Sequence, residues 1–290
     1  MTFRYLIIQE IALGLVSAKW HSRFVLAIIL FLLSLLISPQ CVIAEGTAGD
    51  SGYLRLVNRD YKLRSDYKPV NLVDYGGIKL HSAALNAFLQ MQEAMKTDRI
   101  YNLRLQSAYR AYDYQYAIFS RKVQELQAKG YSKLEAERKA SLSIHPPGAS
   151  EHQLGLALDV SIDGKLTQAF GETSAGKWLE EHCHNYGFII RYPNSKTDIT
   201  KIVYEPWHLR YVGVPHATII KDLELSLEEY LLWIKQVQMY IFWGEDREYY
   251  LLHYSKDLPP ALLPGIIDVS SINPNENEYI VTMRKIYPNV

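Results

Sequence analysis

The sequence contains few cysteines, since only Cys41 and Cys183 occur among its 290 residues. Structural zinc sites close four ligands around the metal and often use cysteine, so this scarcity argues against that kind of site. The chain also lacks an excess of basic residues, because 31 Lys and Arg balance 31 Asp and Glu. Binding to nucleic-acid phosphates depends on a basic patch, and we therefore expect no nucleic-acid partner.

Long hydrophobic runs are scarce too, and the clearest one lies near the N-terminus, from Phe24 to Ile37. Basic residues precede it, and small or compact side chains follow at residues 42–44. A run of 14 residues is short for a membrane span but has the length of the apolar part of a signal peptide. Residues 1–44 are therefore predicted to be a signal peptide, or an N-terminal anchor if they are retained.

This segment predicts an exported protein of the periplasm or cell envelope, attached to a membrane only if residues 24–38 stay on the chain. Removal of residues 1–44 leaves 28 basic and 30 acidic residues, a formal net charge of −2. It also leaves Cys183 as the sole cysteine, so that no disulfide can form within the mature chain.

The remaining sequence mixes helical and strand-like patterns. Helical spacing of apolar residues, with caps, predicts helices over residues 80–96, 113–129, 132–142, 174–186 and 226–243. Shorter segments predict strands over residues 103–107, 156–162, 188–192, 202–204 and 278–283. Hairpin-like strand pairs with intervening helices are typical of an α+β fold rather than a doubly wound parallel sheet.

Two segments carry the residues that point to chemistry. The first contains His152 with Asp159 seven residues later, and the second contains Glu205 with His208 three residues later. Two imidazoles and a carboxylate that leave one coordination position open, with a free carboxylate nearby, are typical of a catalytic zinc site.

The spacing within each segment makes a structural demand. His152 and Asp159 are an odd number of residues apart and would face opposite sides of one straight strand. They can converge only if the chain turns between them, and Gly155 is the natural place because it tolerates positive φ. Pro206 lacks a backbone donor, so we expect residues 205–208 to form neither an ordinary central strand nor a helix interior.

Further motifs resemble one known family. They are residues 107–110 with Gln115, residues 147–152, residues 178–179, residues 186–193 and residues 204–213. In this order they resemble the LAS metallopeptidases, a group named for lysostaphin, D-Ala-D-Ala metallopeptidase and sonic hedgehog. Within that group the chain is most similar to VanY-like D-alanyl-D-alanine carboxypeptidases over about residues 75–232. The resemblance implies a small antiparallel sheet, flanked by helices, that carries one zinc ion per chain.

The resemblance also implies roles for single residues. It makes His152, Asp159 and His208 the zinc ligands, Glu205 the catalytic base, and Arg110 the residue that faces the substrate carbonyl. The predicted substrate contacts are six further residues: Tyr109, Gln115, Ser150, Arg191, Trp207 and Arg210. Arg191 and Arg210 are the candidates for binding a terminal carboxylate, because an exopeptidase needs a second cation there.

The expected function is removal of the terminal D-alanine from peptidoglycan stem peptides. The expected domains are residues 50–243 for the zinc carboxypeptidase and residues 244–290 for an extension of unknown role. An L,D-carboxypeptidase acting on tetrapeptide stems stays open, because the two activities differ in one stereocentre. A non-catalytic zinc module that binds the cell wall is disfavoured, since Glu205 and Arg110 are both present.

Overall fold

The computed structural model describes residues 50–244, 248–257, 265–273 and 277–286. The predicted signal peptide or anchor, residues 1–44, lies outside the described residues. Within the described part of the chain, no helix is both long enough and apolar enough to cross a membrane.

The described residues contain seven α-helices and ten strands. The helices are α1 (Ser82–Thr97), α2 (Tyr112–Ala128), α3 (Lys133–Ala140), α4 (Ser174–His182), α5 (Thr197–Thr200), α6 (His216–Asp222) and α7 (Leu227–Val237). The strands are β1 (Leu72–Tyr75), β2 (Ile78–His81), β3 (Arg104–Ser107), β4 (Ala157–Ser161), β5 (Phe188–Tyr192), β6 (Glu205–Tyr211), β7 (Met239–Trp243), β8 (Glu248–Ser255), β9 (Ile266–Ser271) and β10 (Tyr279–Ile286). Helices and antiparallel strands are mixed along the chain, which confirms the predicted α+β class.

The central sheet has the strand order β3-β4-β6-β5, and all its neighbouring strands are antiparallel. Leu158 and Val160 of β4 belong to the same buried cluster as Phe88 of α1 and Leu179 of α4. Alternate residues of a strand face opposite sides, so Asp159 lies on the face that these helices leave open. One face of the sheet therefore forms the core and the other is left for polar groups.

A second sheet, the C-terminal sheet, has the order β7-β8-β10-β9 and is also antiparallel. Leu252 of β8 and Ile280 of β10 share a buried cluster with Ile219 of α6 and Leu231 of α7. The same cluster includes Ile189 of the central sheet. The described strands after residue 237 thus pack on α6, α7 and the central sheet through an apolar core.

The prediction for residues 226–243 was partly wrong. The capping box at Ser226 and Glu229 begins α7 as expected, but the helix ends at Val237. Gln238 has a positive φ of 63°, which breaks the helix, and residues 239–243 form β7. Met-Tyr-Ile-Phe-Trp is rich in residues with high strand propensity.

The prediction for Pro206 was also wrong. Residues 202–204 form no strand, whereas Pro206 lies in β6, which has β4 on one side and β5 on the other. The pairing with β4 covers only residues 208–210 of β6, and the register with β5 shifts between Ile190 and Tyr192. Pro206 therefore stands where the ladder is irregular and needs no backbone donor.

Candidate metal centre and active site

Three neighbouring strands place polar side chains in one row across the open face of the central sheet. Asp159 of β4 pairs with Ser107 of β3 on one side and with His208 of β6 on the other. Directly paired residues of antiparallel strands present their side chains to the same face. Ser107 Oγ consequently donates a hydrogen bond to the Asp159 carboxylate at 2.6 Å, and His208 Nδ1 lies 3.2 Å from Asp159 Oδ1.

His152 reaches this row from a short 3₁₀ turn, Glu151–Leu154, that precedes β4. Gly155 ends the turn with a φ of 72°, as the spacing predicted. A Cβ at Gly155 would lie 2.7 Å from Leu72 Cδ2, the mobile end of a side chain that can shift, so the positive φ is the reason that glycine is favoured here. The turn brings His152 Nε2 to 3.4 Å from Asp159 Oδ2.

The three predicted metal ligands therefore form one buried cluster. One ligand atom from each of His152, Asp159 and His208 lies within 4.8 Å of the other two, and none of these residues is more than 3% exposed. His152 Nδ1 lies 2.6 Å from the Ala108 carbonyl oxygen and donates to it, which leaves Nε2 for a metal. Two nitrogens and one oxygen with an outer hydrogen-bond partner fit a catalytic zinc ion.

The electrostatics of the cluster favour a cation. Burial lowers the pKa of His152 to about 4, and the neighbouring Arg110 lowers it further. Burial would also lower the pKa of His208, but Asp159 and Glu151 raise it to about 9. A metal that binds His208 has to displace a proton, so metal affinity should weaken as the pH falls.

Glu205, the predicted base, lies beside this cluster at the start of β6. Its Oε2 is 3.9 Å from His208 Nδ1, and the residue is 7% exposed. Burial raises the pKa of Glu205 to about 7; the charge of Asp159 adds to this, while His208 and Arg110 oppose it. A carboxylate whose pKa lies near neutrality is suited to accept and return a proton.

Arg110 contacts the ligand cluster directly. Its Nη2 lies 2.6 Å from Asp159 Oδ2 and 3.0 Å from both Ser107 Oγ and His152 Nε2. The side chain is 18% exposed, so it contacts the buried cluster and also reaches solvent. Arg110 is thus placed to act on a group bound at the metal.

Two predicted substrate contacts, Tyr109 and Gln115, lie beside Arg110, and a third, Ser150, lies beside His152 in the chain. Gln115 accepts a hydrogen bond from Arg110 Nη1 at 3.4 Å and donates one to the His145 carbonyl at 2.7 Å. Tyr109 is half-buried, and Ser150 is buried immediately before the 3₁₀ turn of His152. Their roles as substrate contacts stay predictions.

The other three predicted contacts point elsewhere. Arg191 and Arg210 are 1% and 0% exposed, and both pair with the buried carboxylate of Glu151 at 2.8 Å. Trp207 packs against the helix-side core, on the face of β6 opposite His208. This placement does not favour direct contact of these three residues with a substrate.

Sequence reasoning gave no role to Glu151, which is fully buried with Oε2 at 3.7 Å from His208 Nε2. Burial would raise the pKa of Glu151, but Arg191 and Arg210 outweigh this effect and hold the pKa well below its usual range. The signal that could have found it is its position between two motif residues, Ser150 and His152.

His145 is also part of the surroundings of the three predicted ligands. Its Nε2 lies 2.8 Å from the hydroxyl of Tyr192, and the Tyr192 ring stands 4.9 Å from the ring of His208. Burial lowers the pKa of His145 to about 3, so the imidazole is neutral and accepts from or donates to the phenol without charge.

Comparison with known proteins agrees with this geometry. The family model VanY, D-alanyl-D-alanine carboxypeptidase, matches residues 77–214, a range that includes all three predicted metal ligands. YodJ of Bacillus subtilis (strain 168), which carries a carboxypeptidase name, is 42% identical over 197 residues, spanning 63% of this chain and 68% of that protein. A D-alanyl-D-alanine carboxypeptidase of Enterococcus faecalis is 39% identical over 179 residues, spanning 61% of this chain and 65% of that protein.

Three solved structures are similar as well. VanYB in complex with D-alanine-D-alanine has a TM-score of 0.56 and 38% identity, covering 62% of this chain and 97% of that one. The D,D-pentapeptidase VanY of a VanB-type resistance cassette, in complex with Zn(II), has a TM-score of 0.56 and 38% identity. The match covers 62% of this chain and 98% of that one. LdcB, an LD-carboxypeptidase, has a TM-score of 0.55 and 42% identity, covering 62% of this chain and 86% of that one.

The chain is accordingly a zinc-dependent hydrolase, and His152, Asp159 and His208 form a cluster that could hold the metal. The fold neighbours are zinc peptidases of the LAS type, as the resemblance implied. The chain belongs to the VanY family of zinc-dependent D-alanyl-D-alanine carboxypeptidases.

Proposed function

We propose that this chain is an exported carboxypeptidase that removes the terminal D-alanine from peptidoglycan stem peptides, with Glu205 as the general base. The observation that carries the proposal is the placement of Glu205, which is buried beside the three ligands and has a pKa raised to about 7. Because Glu205 lies beside the cluster rather than within it, it is free to move a proton.

A zinc ion held by His152, Asp159 and His208 would supply Lewis acidity at the scissile carbonyl and at the attacking water. Glu205 takes a proton from that water and returns it to the leaving amine of D-alanine. The guanidinium group of Arg110 stabilises the negative charge that develops on the carbonyl oxygen. Gln115 and Ser107 hold Arg110 in place through the contacts described above.

An L,D-carboxypeptidase activity is a second candidate, favoured by one observation. LdcB, an LD-carboxypeptidase, is 42% identical, whereas the D-alanine-D-alanine complex of VanYB is 38% identical. The two bonds differ in one stereocentre, which pocket shape reads. Glu205 and Arg110 would have the same roles in both reactions.

Cleavage assays with purified muropeptides distinguish the D,D activity from the L,D activity. Purified pentapeptide and tetrapeptide muropeptides are incubated separately with the zinc-loaded mature protein, and the products are identified by mass spectrometry. We expect loss of one D-alanine from the pentapeptide and little change in the tetrapeptide. The reverse result would establish the L,D activity instead, and cleavage in mid-stem would reject a carboxypeptidase altogether.

A second comparison tests whether the enzyme requires a free terminal carboxylate. The same pentapeptide with an amidated C-terminus should be cut much more slowly, because an exopeptidase site pairs the carboxylate with a cation. Equal cleavage of the amidated peptide would identify an endopeptidase. The Glu205→Gln variant is the negative control in both comparisons.

Export rests on the N-terminal sequence pattern and on the cell-wall substrates of the family. We propose that the mature chain starts at Glu45 or near it. N-terminal sequencing of the protein recovered from cells tests this directly. An intact residue 1 in a membrane fraction would show the anchored form, and a full-length cytoplasmic chain would contradict export.

A further inference from the structure

Glu151 has an unusual environment for a carboxylate. It is fully buried, and its Oε1 accepts a hydrogen bond from Arg191 Nε at 2.8 Å and lies 2.8 Å from Arg210 Nη1. Its Oε2 has no hydrogen-bond partner in the described part of the chain and faces His208 Nε2 at 3.7 Å. Buried carboxylate oxygens ordinarily accept hydrogen bonds.

The nitrogen that faces Glu151 is in the same situation. His208 Nε2 is buried and has no hydrogen-bond partner among the described residues, while Nδ1 faces Asp159. An imidazole that binds a metal through one nitrogen carries its proton on the other, and the partner of that proton fixes the ring orientation. The donor and the acceptor that lack partners thus face each other, and a small movement of either side chain completes the bond.

The other ligand imidazole shows the same principle with the nitrogens exchanged. His152 Nδ1 donates to the Ala108 carbonyl, which directs Nε2 toward Asp159. His208 directs Nδ1 toward Asp159 and Nε2 toward Glu151. Each imidazole therefore faces one outer oxygen group: the Ala108 carbonyl at hydrogen-bond distance for His152, and the Glu151 carboxylate at 3.7 Å for His208.

From this geometry we infer that Glu151 is a positioning residue, which accepts the Nε2 proton of His208 and so presents Nδ1 to the zinc ion. The inference rests on the zinc site alone and is independent of which stem peptide is cut.

Arg191 and Arg210 hold Glu151 in this position. Arg191 also binds the carboxylate of Glu228 on α7, with Nη1 at 2.9 Å and Nη2 at 2.6 Å. Arg210 Nη2 donates to the backbone carbonyls of Tyr53 at 2.9 Å and Arg55 at 3.0 Å. Glu151 is thereby tied to α7 and to the segment that precedes β1, which explains why two arginines of the central sheet are buried.

The direct test is the protonation state of the His208 ring in the wild-type mature protein. Nitrogen-15 NMR of histidine-labelled, zinc-loaded protein should show His208 bound to zinc through Nδ1, with a slowly exchanging proton on Nε2. The resonance is assigned with a His208→Ala sample. Zinc on Nε2 with a proton on Nδ1 would overturn the inference, and this measurement requires no change at Glu151.

Two matched variants measure the effect on zinc binding. Glu151→Gln and Glu228→Gln each remove a carboxylate from Arg191, but only Glu151 faces His208. Zinc affinity is measured by competition with a chelator, at a temperature where melting curves show both variants folded. Loss of an outer partner of a metal ligand typically weakens affinity by roughly 10- to 100-fold, which we expect for Glu151→Gln only.

Equal zinc affinity of the two variants would contradict the inference, even if both bind more weakly than the wild type. That outcome would show a structural role of the buried charges shared by both carboxylates. Because the readouts are zinc affinity and ring protonation, a failure of the proposed D-alanine release would leave this result unaffected.

Discussion

The two four-stranded sheets have the same construction but hold different kinds of side chain. On its open face and around it, the central sheet buries Asp159, Glu205 and Arg191, together with the histidine ligands. The core of the C-terminal sheet contains apolar residues such as Leu252 and Ile280, with few charged groups. Burial of charge is costly unless the groups are paired or bind a metal. Its concentration in one sheet therefore marks where chemistry occurs.

Both sheets contain register shifts, but the C-terminal sheet has one, at Thr282 and Met283 where β10 pairs with β9, whereas the central sheet has two. β8 pairs with β10 over eight consecutive positions without a shift, from Glu248 to Ser255. The central sheet has register shifts on both outer pairs, between Leu105 and Ser107 and between Ile190 and Tyr192. Such irregularities redirect side chains next to active sites. They allow Glu205 and His208, which are three residues apart, to converge.

The largest expected effect compares one buried histidine from each region. His208→Ala should remove most of the zinc and with it the activity, because two remaining ligands hold zinc poorly. His216→Ala removes hydrogen bonds to Tyr230 and Thr282 next to the C-terminal sheet and should lower the melting temperature while zinc stays bound. Metal analysis of both purified variants checks this. Full zinc retention by His208→Ala would refute the ligand assignment.

The next effect separates catalysis from metal binding. Glu205→Gln should keep the zinc but lower turnover by roughly 10²- to 10⁴-fold, the range typical for loss of a general base. Glu248→Gln, which breaks a pair with Arg284 in the C-terminal sheet, should leave turnover nearly unchanged. Zinc content and D-alanine release are measured on the same samples. Zinc loss by Glu205→Gln would make Glu205 a ligand rather than a base.

A third change affects stability without touching the site. Leu252 is fully buried in the C-terminal sheet, and Leu252→Ala should lower the free energy of unfolding by about 2–5 kcal/mol through the cavity it leaves. Chemical denaturation measures this loss, and turnover of the folded variant at low temperature should match the wild type. A large fall in turnover would show that the C-terminal sheet shapes the active site.

The smallest effect concerns pH and the zinc-free protein. Burial raises the pKa of Glu205 from 4.5 to about 7, so the proton binds more tightly to the folded chain. The stabilisation that comes from this tighter proton binding at Glu205 is complete below about pH 4.5 and is lost as the pH rises through about 7. Above that pH, Glu205→Gln should be more stable than the wild type by at most about 3 kcal/mol, and at pH 5 the difference should be small. A constant difference across this range would place Glu205 in a less buried environment.

Much of the site could be predicted because its chemistry depends on residue type and spacing. His152, Asp159 and His208 were identified from their donor atoms and from family motifs, and the turn at Gly155 followed from the odd spacing. The roles of Arg191 and Arg210 could not be predicted in this way. Their partner Glu151 is distant in sequence and becomes a neighbour only when β5 and β6 pair beside the 3₁₀ turn.

In the fold, too, the features with a local sequence signal were predictable and those that depend on tertiary contacts were not. The helices over residues 80–96 and 113–129 were predicted within two residues, because long amphipathic periodicity is a local signal. The strand at residues 239–243 was taken for a continuation of α7, since an apolar run of five residues has no clear period. Pairing with β8 makes it a strand, and such a tertiary effect is absent from local sequence.

The central claim is that this chain, with one zinc ion bound, hydrolyses the terminal D-alanine from stem peptides. The most direct measurement combines metal analysis with D-alanine release on one preparation of the mature wild-type protein. The account predicts about one zinc per chain, release of one D-alanine per pentapeptide, loss of release after chelation and its recovery when zinc is restored. Release that persists in the zinc-free protein, or a fully zinc-loaded protein that releases no amino acid from any stem peptide, would contradict it.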